Sequence, residues 1–571
     1  MKIILVAINA KFIHTNLAVR SLRQCFLNEE EKPLICEVTI NDHLDTIVQK
    51  LVKLNGDAYG FSCYIWNISL VRRLAEMLKK IKPNCVLFAG GPEVSYDSSK
   101  VFNDIPWLDY VFTGEAELNI VPFQNFLNGT QKLLPTGIVS REHKNTIFQV
   151  VDPLSKIPFP YSDHEIKSLK NKIIYYESIR GCPFSCSYCL SSTIQKVRFL
   201  PLGRVQNELS LFASLNVKQI KFVDRTFNVD KKRCKDILKL LSNFDTVTNF
   251  HFEISGDLLD EEILQIIRES PKGRFQFEVG IQSTNDTTLE AISRKTDTNQ
   301  VCTNIKKMIS YHKAHVHVDL IAGLPFEDYF SFAHSFNDVY FLHANMLQLG
   351  FLKLLKGTQI RKQAPKYDYC YKSFPPYEVI SNRFVTSKEL LQLKKIEILV
   401  DGLINTNRFL YTLKWILEIN NAMSPFHFFE KLSHFATEKN FFNQSPSMND
   451  WFMLINDFLI EEKCGNLSAH LGNEFLKFDY LNLGFRHLPD FLENISPTSK
   501  QIHHILRDEV LVNRFLPALS KESIKKRYQK ITFQIFYDLA ETMGKNRGSI
   551  AAFLDSRVIW MEEIMSDTQE K

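Results

Sequence analysis

The chain has 571 residues, which leaves room for three or four domains at about 150 residues each. Hydrophobic residues make up 45% of it and charged residues 23%, a composition that excludes a disordered, collagen-like or coiled-coil chain. The net charge of +5 is too small to predict nucleic acid as the main partner. The sequence contains no run of 18 apolar residues, so no membrane span is predicted.

Short apolar runs alternate with amphipathic segments over residues 1–130. The run at 2–8 is not followed by the small-residue cleavage site of a signal peptide, so it predicts a buried first strand. Further strands are predicted at 34–40, 57–63, 84–90 and 108–114. Five βα units of this kind indicate an α/β fold built on a doubly wound parallel sheet.

A second series of strands follows a stretch at 131–171 that is rich in proline and polar residues and is predicted as a linker. Between 172 and 368, strands are predicted at 172–179, 218–224, 248–254, 274–281, 315–321 and 345–352. Six βα units in about 180 residues suit a partial (β/α)6 barrel of TIM type better than a closed eightfold barrel. From 369 to 571 the pattern becomes helical and rich in phenylalanine, which predicts a helical C-terminal domain.

Three cysteines follow the first strand of the second series with the spacing CxxxCxxC: Cys182, Cys186 and Cys189. Without an export signal, the 11 cysteines of the chain are expected to be reduced thiols in a cytoplasmic protein, where such a cluster indicates a metal site. Three thiolates leave one corner of an iron–sulfur cubane open to an outside ligand. The alternative is a zinc site completed by a distant histidine or cysteine.

With Tyr188 directly before its last cysteine, this motif resembles the radical S-adenosylmethionine (SAM) superfamily. The resemblance implies that the three cysteines hold a 4Fe–4S cluster whose fourth iron is chelated by SAM. One electron from the reduced cluster would then release a 5′-deoxyadenosyl radical, which abstracts hydrogen from the substrate. An electron donor such as flavodoxin or ferredoxin is implied as a partner.

Polar residues end several strands of the second series, where barrels of this type place their function. Glu253, Gln282, Arg294 and Asp319 match positions that bind the ribose hydroxyls, the methionyl carboxylate and the adenine in similar enzymes. The resemblance therefore assigns SAM binding to these four residues and to Tyr188. Many members of the superfamily have a Gly-Gly-Glu type stretch after the second strand, and here Asp224 is the candidate acceptor for the methionyl ammonium group.

The loops of the first sheet contain two glycine-bearing motifs, GGPEVS at 90–95 and TGEAE at 113–117. No GxGxxG motif follows the first strand, which argues against NAD or FAD, and turn chemistry alone also accounts for the paired glycines. Upstream of a CxxxCxxC barrel, however, these motifs resemble the cobalamin-binding domain of radical SAM enzymes in a subgroup with a helical C-terminal domain of unknown function. The resemblance implies cobalamin contacts at Gly90, Gly91, Glu93, Gly114 and Glu115.

The sequence therefore predicts a radical SAM enzyme that uses cobalamin for methyl transfer to, or rearrangement of, an unactivated carbon. One alternative is a radical SAM methylthiotransferase of tRNA or protein, although the cysteines at 25, 36, 63 and 85 do not match the second-cluster pattern of those enzymes. A second alternative is a non-enzymatic module that binds cobalamin and a metal. Iron with acid-labile sulfide would favour the enzyme, and stoichiometric zinc would favour the module.

Overall fold

The computed structural model describes residues 1–144, 147–419, 423–461, 468–554 and 557–561. The chain divides into two compact units, Met1–Leu390 and Leu391–Lys571. Across the described ranges, we find no helix with the length and hydropathy needed to cross a bilayer.

The first unit begins with a six-stranded sheet in the order β2-β1-β3-β4-β5-β6. Its strands are β1 Ile3–Asn9, β2 Leu34–Thr39, β3 Ala58–Ser62, β4 Val86–Gly90, β5 Tyr110–Phe112 and β6 Ile138–Val139. The five predicted strands are confirmed and pair in parallel, whereas β6 is antiparallel to β5. Because β2 and β3 flank β1 on opposite sides, the winding direction reverses at β1.

The sheet is covered by helices on both faces. All seven residues of β1 are buried. Ile4, Val6 and Ile8 belong to one apolar cluster, and Ile3 and Leu5 belong to another. This two-sided burial explains why β1 is a continuous apolar run rather than an alternating one. The helices are Leu17–Gln24, Leu44–Leu54, Ile68–Ile81, Pro92–Ser95, Ser98–Asp104 and Ile120–Leu127, with a 3-10 turn at Glu29–Glu31.

The segment predicted as a linker contributes to this sheet through its edge strand β6. It also contains a 3-10 turn at Leu154–Lys156 and a helix at Asp163–Ser168. Tyr161 is buried and donates a hydrogen bond to the carbonyl of Tyr175 at 2.6 Å. The segment is therefore packed against its neighbours along much of its length.

A second sheet of six parallel strands confirms the predicted partial barrel. Its order is β14-β13-β12-β11-β10-β7, and a short β8-β9 hairpin stands beside it. The strands from here to residue 381 are β7 Ile173–Tyr176, β8 Ile179–Arg180, β9 Arg198–Phe199, β10 Gln219–Phe222, β11 Asn249–Ile254, β12 Phe275–Gln282, β13 His315–Ala322, β14 Met346–Phe351, β15 Cys370–Tyr371 and β16 Val379–Ser381.

Alternate barrel residues such as Phe250, Phe277 and Val318 are apolar and fully or almost fully buried, whereas His251, Glu278 and His317 occupy the opposite face of the sheet. The barrel helices are Leu202–Ser214, Lys231–Ser242, Glu261–Glu269, Asp286–Ala291, Thr298–Ser310, Tyr329–Tyr340 and Gln359–Lys362. Shorter 3-10 turns lie at Leu190–Thr193, Phe227–Val229, Gly256–Leu258 and Ala364–Tyr367.

The C-terminal unit is mainly helical, as predicted, but it also contains a three-stranded antiparallel sheet that the sequence did not predict. The strands are β17 Thr532–Phe536, β18 Ser549–Leu554 and β19 Arg557–Met561. The helices are Leu410–Lys414, Pro425–Glu438, Met448–Glu461, Ala469–Asn482, Ser499–Arg507, Glu509–Phe515, Ile524–Lys530 and Asp538–Thr542, with a π-helical turn at Trp415–Ile419 and 3-10 turns at Phe441–Asn443 and Pro517–Leu519. The helix Ser387–Leu403 contains the boundary between the units.

Candidate functional site

The three cysteines lie on the loop 181–197, which connects β8 to β9. Cys182 and Cys186 are buried, and Cys189 is partly exposed. Gly181 opens the loop with φ +96°, and a Cβ at this position would lie 2.3 Å from the Lys196 carbonyl oxygen. Only glycine therefore allows the two ends of the loop to approach this closely.

Backbone hydrogen bonds hold the cysteine loop against the barrel. Ser187 donates its N–H to the Ile292 carbonyl at 2.8 Å, and its own carbonyl accepts from the Ile360 N–H at 2.8 Å. The Cys189 N–H donates to the Cys186 carbonyl at 3.1 Å. Ser187 lies between the second and third cysteines, so its two bonds attach this part of the loop to the barrel.

The donor set fits an iron–sulfur cluster. The three thiols are free of disulfides. Among the residues with described positions, no three His, Cys, Asp or Glu side chains converge as the ligands of a single metal ion would. A cubane cluster does not require such convergence, because each cysteine binds a different iron. Arg294 lies beside the loop, with Nη1 3.9 Å from the Cys186 sulfur and 3.4 Å from the Tyr188 hydroxyl.

Asp224 has a structural role in this site. Its side chain is fully buried and accepts hydrogen bonds from the Ser178 N–H at 2.7 Å, the Ser178 hydroxyl at 2.5 Å and the Ile179 N–H at 2.9 Å. Burial raises the pKa of Asp224 to about 7, and these donors oppose the rise. The carboxylate thus anchors the chain between β7 and β8, and these contacts leave it little capacity for the ammonium group suggested by the sequence.

We expect Asp224→Ala to lower the midpoint of the first thermal transition of the cluster-free protein by roughly 5–10 °C, because each buried donor left without its acceptor costs about 1–3 kcal/mol. Differential scanning calorimetry measures this shift. Asp286→Ala, at an exposed position in the first turn of a helix, is the control. Equal midpoints for the two variants would contradict the anchoring role.

The other predicted SAM residues lie around the ends of β11, β12 and β13. Arg294 donates to the Gly280 carbonyl, and Gly280 is paired with Asp319 in the sheet. Gln282 has φ +72°, and the register between β12 and β13 shifts between Gly280 and Gln282. Arg294, Gln282 and Asp319 therefore lie close to one irregularity of β12. At this irregularity the Gly280 carbonyl accepts a hydrogen bond from a side chain.

Asp319 has an unsatisfied oxygen at this position. Its Oδ1 is buried and has no hydrogen-bond partner within the described part of the chain. Burial, together with the charges of Glu278 and Glu253, raises the pKa of Asp319 to about 7. Glu253 is 24% exposed and lies 3.3 Å from Arg225. Asp319 thus keeps a buried acceptor without a donor among the described residues, and the Glu253 carboxylate lines a cavity.

One cavity is lined by the cysteine loop, and a second lies at the base of that loop, where Arg180 lines it. The larger has a volume of about 620 Å3. It is lined by the cysteine loop and by Tyr175, Lys221 and Glu253 of the barrel. Asn9 and Trp66 line it from the region built on the first sheet, which we call the first domain. The smaller has a volume of about 220 Å3 and lies along the carboxyl ends of the first sheet. Because Ala18, Tyr64, Glu117 and Arg180 line both cavities, the two are adjacent.

Four glycines contribute to the wall of the smaller cavity: Gly60, Gly90, Gly91 and Gly114. A Cβ on Gly90 would meet only Phe112, at an ordinary 3.5 Å, so a side chain there would extend beside the cavity. Gly91 has φ +107°, and its Cβ would lie 2.5 Å from the Cys63 carbonyl oxygen. This cavity at the winding reversal of the sheet is too small for a whole cobalamin, but its glycine-bearing wall fits one part of a bulky cofactor whose remainder would extend into the adjacent larger cavity.

Two of the residues predicted to contact cobalamin have side-chain partners within the protein. Glu93 is buried, and its Oε2 accepts a hydrogen bond from the Tyr377 hydroxyl at 2.7 Å. Burial raises the pKa of Glu93. Glu115 lines the smaller cavity, but its carboxylate is paired with Arg198 at 2.7 Å. Both side chains therefore connect the first domain to the barrel region.

Sequence reasoning missed the two arginines that contact Glu115. Arg180 precedes the cysteine motif by two positions and Arg198 follows it by nine, and no motif distinguishes either of them. Tyr64 and Trp66 also belong to no motif, but their rings stack with centroids 4.3 Å apart and line the larger cavity. His14 lies in the same cavity, and its Nδ1 is 2.7 Å from the Tyr175 hydroxyl.

Three family models match the chain in succession. A B12 binding domain matches residues 3–121, the radical SAM superfamily matches 176–339, and a protein of unknown function (DUF4080) matches 365–550. These ranges correspond to the first sheet, the partial barrel and most of the region that follows it. The first two agree with the sequence-based resemblance, and the third agrees with the predicted subgroup, which has a helical C-terminal domain of unknown function.

Two curated methyltransferases are similar to this chain. The cobalamin-dependent radical SAM methyltransferase TokK of Streptomyces tokunonensis is 27% identical over 345 residues, which are 54% of this chain and 47% of that protein. The 2-(S-pantetheinyl)-carbapenam-3-carboxylate methyltransferase of Streptantibioticus cattleyicolor is 25% identical over 306 residues, 48% of this chain and 44% of that protein. The chain thus spans less than half the length of these two relatives.

One solved structure supports the fold over most of the chain. The cobalamin-dependent S-adenosylmethionine radical enzyme OxsB has a TM-score of 0.59 and 14% identity, with 86% of this chain and 82% of that chain covered. At this identity the likeness concerns the fold alone.

Proposed function

We propose that this chain, which belongs to the radical SAM superfamily and carries a B12-binding domain, is a cobalamin-dependent radical SAM enzyme. Its reaction would be methyl transfer to, or rearrangement of, an unactivated carbon. The domain matches and the similarity to two methyltransferases support this proposal.

The observation that carries the proposal is the larger cavity. Gly181, Leu190 and Ser191 of the cysteine loop line it from one side, and Asn9 and Trp66 of the first domain line it from the other. A substrate in this cavity would therefore contact both the loop proposed to hold the cluster and the domain proposed to hold cobalamin. Such proximity is what a reaction shared between two cofactors requires.

The chain's own residues have distinct tasks in this proposal. Cys182, Cys186 and Cys189 hold the 4Fe–4S cluster, and Asp319 and Glu253 accept hydrogen bonds from SAM. Arg294 places a guanidinium group near Tyr188 and Cys186, where it can pair with the methionyl carboxylate. Gln282 contributes an amide at the same end of the barrel. When bound, the cluster supplies the electron that cleaves SAM, and cobalamin supplies methyl-transfer or electron-transfer chemistry.

Gly90, Gly91 and Gly114 form the backbone surface on which cobalamin would lie. Glu93 and Glu115 act on this surface indirectly, because their partners Tyr377 and Arg198 fix the loops that bear them. Trp66 and Tyr64 form a stacked aromatic pair on the wall of the larger cavity, and Tyr64 also lines the smaller one. The pair would offer a flat apolar surface to a substrate in the larger cavity.

Among the described cysteines of the first domain, Cys36, Cys63 and Cys85 are buried members of one apolar cluster. Their place in the core favours a packing role over the second cluster site of a methylthiotransferase. The ten described cysteines are all free, which suits the reducing cytoplasm proposed as the location. We also propose that a reductant such as flavodoxin or ferredoxin donates the electron.

Anaerobic reconstitution tests the proposed function. Full-length protein would be loaded with iron and sulfide, incubated with hydroxocobalamin, and then given dithionite and SAM. We expect bound iron and acid-labile sulfide, protein-bound cobalamin after gel filtration, and 5′-deoxyadenosine detected by mass spectrometry. Stoichiometric zinc in stable air-purified protein, with no 5′-deoxyadenosine after reconstitution, would contradict the proposal.

A further inference from the structure

Two arginines close the base of the cysteine loop. The strands β8 and β9 pair at only two positions, Ile179 with Phe199 and Arg180 with Arg198. The Arg180 side chain is 16% exposed and that of Arg198 is 2% exposed. Because a hairpin of two pairs is not stable by itself, its closure depends on what these side chains contact.

The two arginines contact carboxylates of the first domain. Arg198 donates to the two oxygens of Glu115 at 2.9 and 2.7 Å, and Arg180 Nη1 lies 3.2 Å from the same carboxylate. Arg180 also donates to Glu117 at 2.8 Å and to Glu177 at 2.6 Å. None of the five side chains is more than 23% exposed. Removing Arg180 would take Glu117 and Glu177 out of their ion pairs, and removing Arg198 would leave Glu115 with only the longer contact to Arg180.

Glu115 and Glu117 stand on the loop after β5, which lines the smaller cavity next to Gly114. Arg180 itself lines both cavities. The same two arginines therefore close the loop proposed to hold the cluster and fix the loop proposed to hold cobalamin. No sequence motif or family match assigns a role to either arginine.

We propose that Arg180 and Arg198 are positioning residues that make cluster binding and cobalamin binding mutually dependent, an inference that rests on the function proposed above. Ligation of a cluster by the three cysteines would restrict residues 181–197 further than the backbone hydrogen bonds of Ser187 do, and with them the β8-β9 base. The base then holds Glu115 and Glu117 in place before cobalamin binds, which reduces the ordering that cobalamin binding must impose. By thermodynamic linkage, bound cobalamin tightens cluster binding by the same factor.

The dissociation constant of hydroxocobalamin, measured by anaerobic absorbance titration of the full chain with and without reconstituted cluster, tests this coupling. In the wild type we expect the cluster to lower the dissociation constant by about tenfold, the size of a typical coupling between sites. In Arg180→Met and Arg198→Met the ratio of the two constants is expected to fall towards one. In Arg198→Lys, which keeps the charge but loses the bidentate contact, it should be intermediate.

Arg204→Met is the matched control, because Arg204 pairs with Glu208 at 2.6 Å and lines neither cavity. It should retain the wild-type ratio. Glu115→Gln weakens the same contacts from the side of the first domain, so it decides the result if Arg198→Met fails to fold. A loss of stability alone would change both constants together and leave their ratio unchanged.

The outcomes separate this inference from the proposed function. A wild-type ratio of one, or an unchanged ratio in Arg180→Met and Glu115→Gln, would overturn the coupling while leaving a cobalamin-dependent enzyme intact. Wild-type protein that binds no hydroxocobalamin with or without the cluster would overturn the proposed function itself.

Discussion

Replacing Cys186 by alanine is expected to reduce 5′-deoxyadenosine formation by at least roughly 100-fold, because a cluster that loses one of three protein ligands cannot be held with one iron open for SAM. Cys186 is buried beside Arg294 at the centre of the loop, so no solvent ligand readily replaces its thiolate. Mass spectrometry of the reconstituted, dithionite-treated protein measures the yield. Bound iron should fall in parallel.

Cys370→Ala is the control for this variant, since Cys370 is exposed on β15 and lies outside the cysteine loop. It should form 5′-deoxyadenosine at the wild-type yield. If Cys186→Ala and the wild type gave equal yields, SAM cleavage at this loop would be refuted.

Replacing Gly90 by valine is expected to weaken hydroxocobalamin binding by roughly 100-fold, or about 2.7 kcal/mol, without preventing SAM cleavage. The added methyl groups would extend beside the smaller cavity next to Phe112, where the backbone now leaves space. Gly90 does not have a positive φ, so the variant strains the chain less than a change at Gly91 would. Equilibrium titration measures the affinity, and 5′-deoxyadenosine formation measures the barrel's own activity.

Gly203→Val introduces the same side chain at the start of a helix where a Cβ meets no atom within 4 Å. It should bind hydroxocobalamin as the wild type does. Unchanged binding by Gly90→Val would show that the smaller cavity does not hold the cofactor. Loss of both cobalamin binding and SAM cleavage would indicate a general folding defect, which the melting temperature would reveal.

The parallel strands of both sheets could be predicted because the pattern of apolar and polar residues within each strand matches its burial. β1 is apolar throughout, and barrel strands such as β12 alternate large apolar residues with polar ones. The small sheet at the C-terminal end gave no comparable signal. All six residues of β18 are buried, and such a short apolar run resembles part of a buried helix in a region already rich in phenylalanine.

The cysteine triplet could be recognised because its ligands are close in sequence. Side chains whose partners lie far along the chain could not be interpreted in the same way. Glu93 contacts Tyr377, and Glu115 contacts Arg198. The residues next to a carboxylate on a ligand-facing loop do not indicate that a distant tyrosine or arginine will donate hydrogen bonds to its oxygens. Asp224 is a similar case, because its donors Ser178 and Ile179 belong to another strand end.

The cysteine loop is proposed to hold a cluster with one iron left for SAM. Electron paramagnetic resonance of the dithionite-reduced, reconstituted protein, recorded with and without SAM, tests this directly. We expect SAM to change the principal g values of the cluster signal and 15N in the methionyl amino group to produce a hyperfine coupling. A reduced-cluster spectrum that remains the same at saturating SAM would contradict this proposal, because a fourth protein ligand would then occupy that iron.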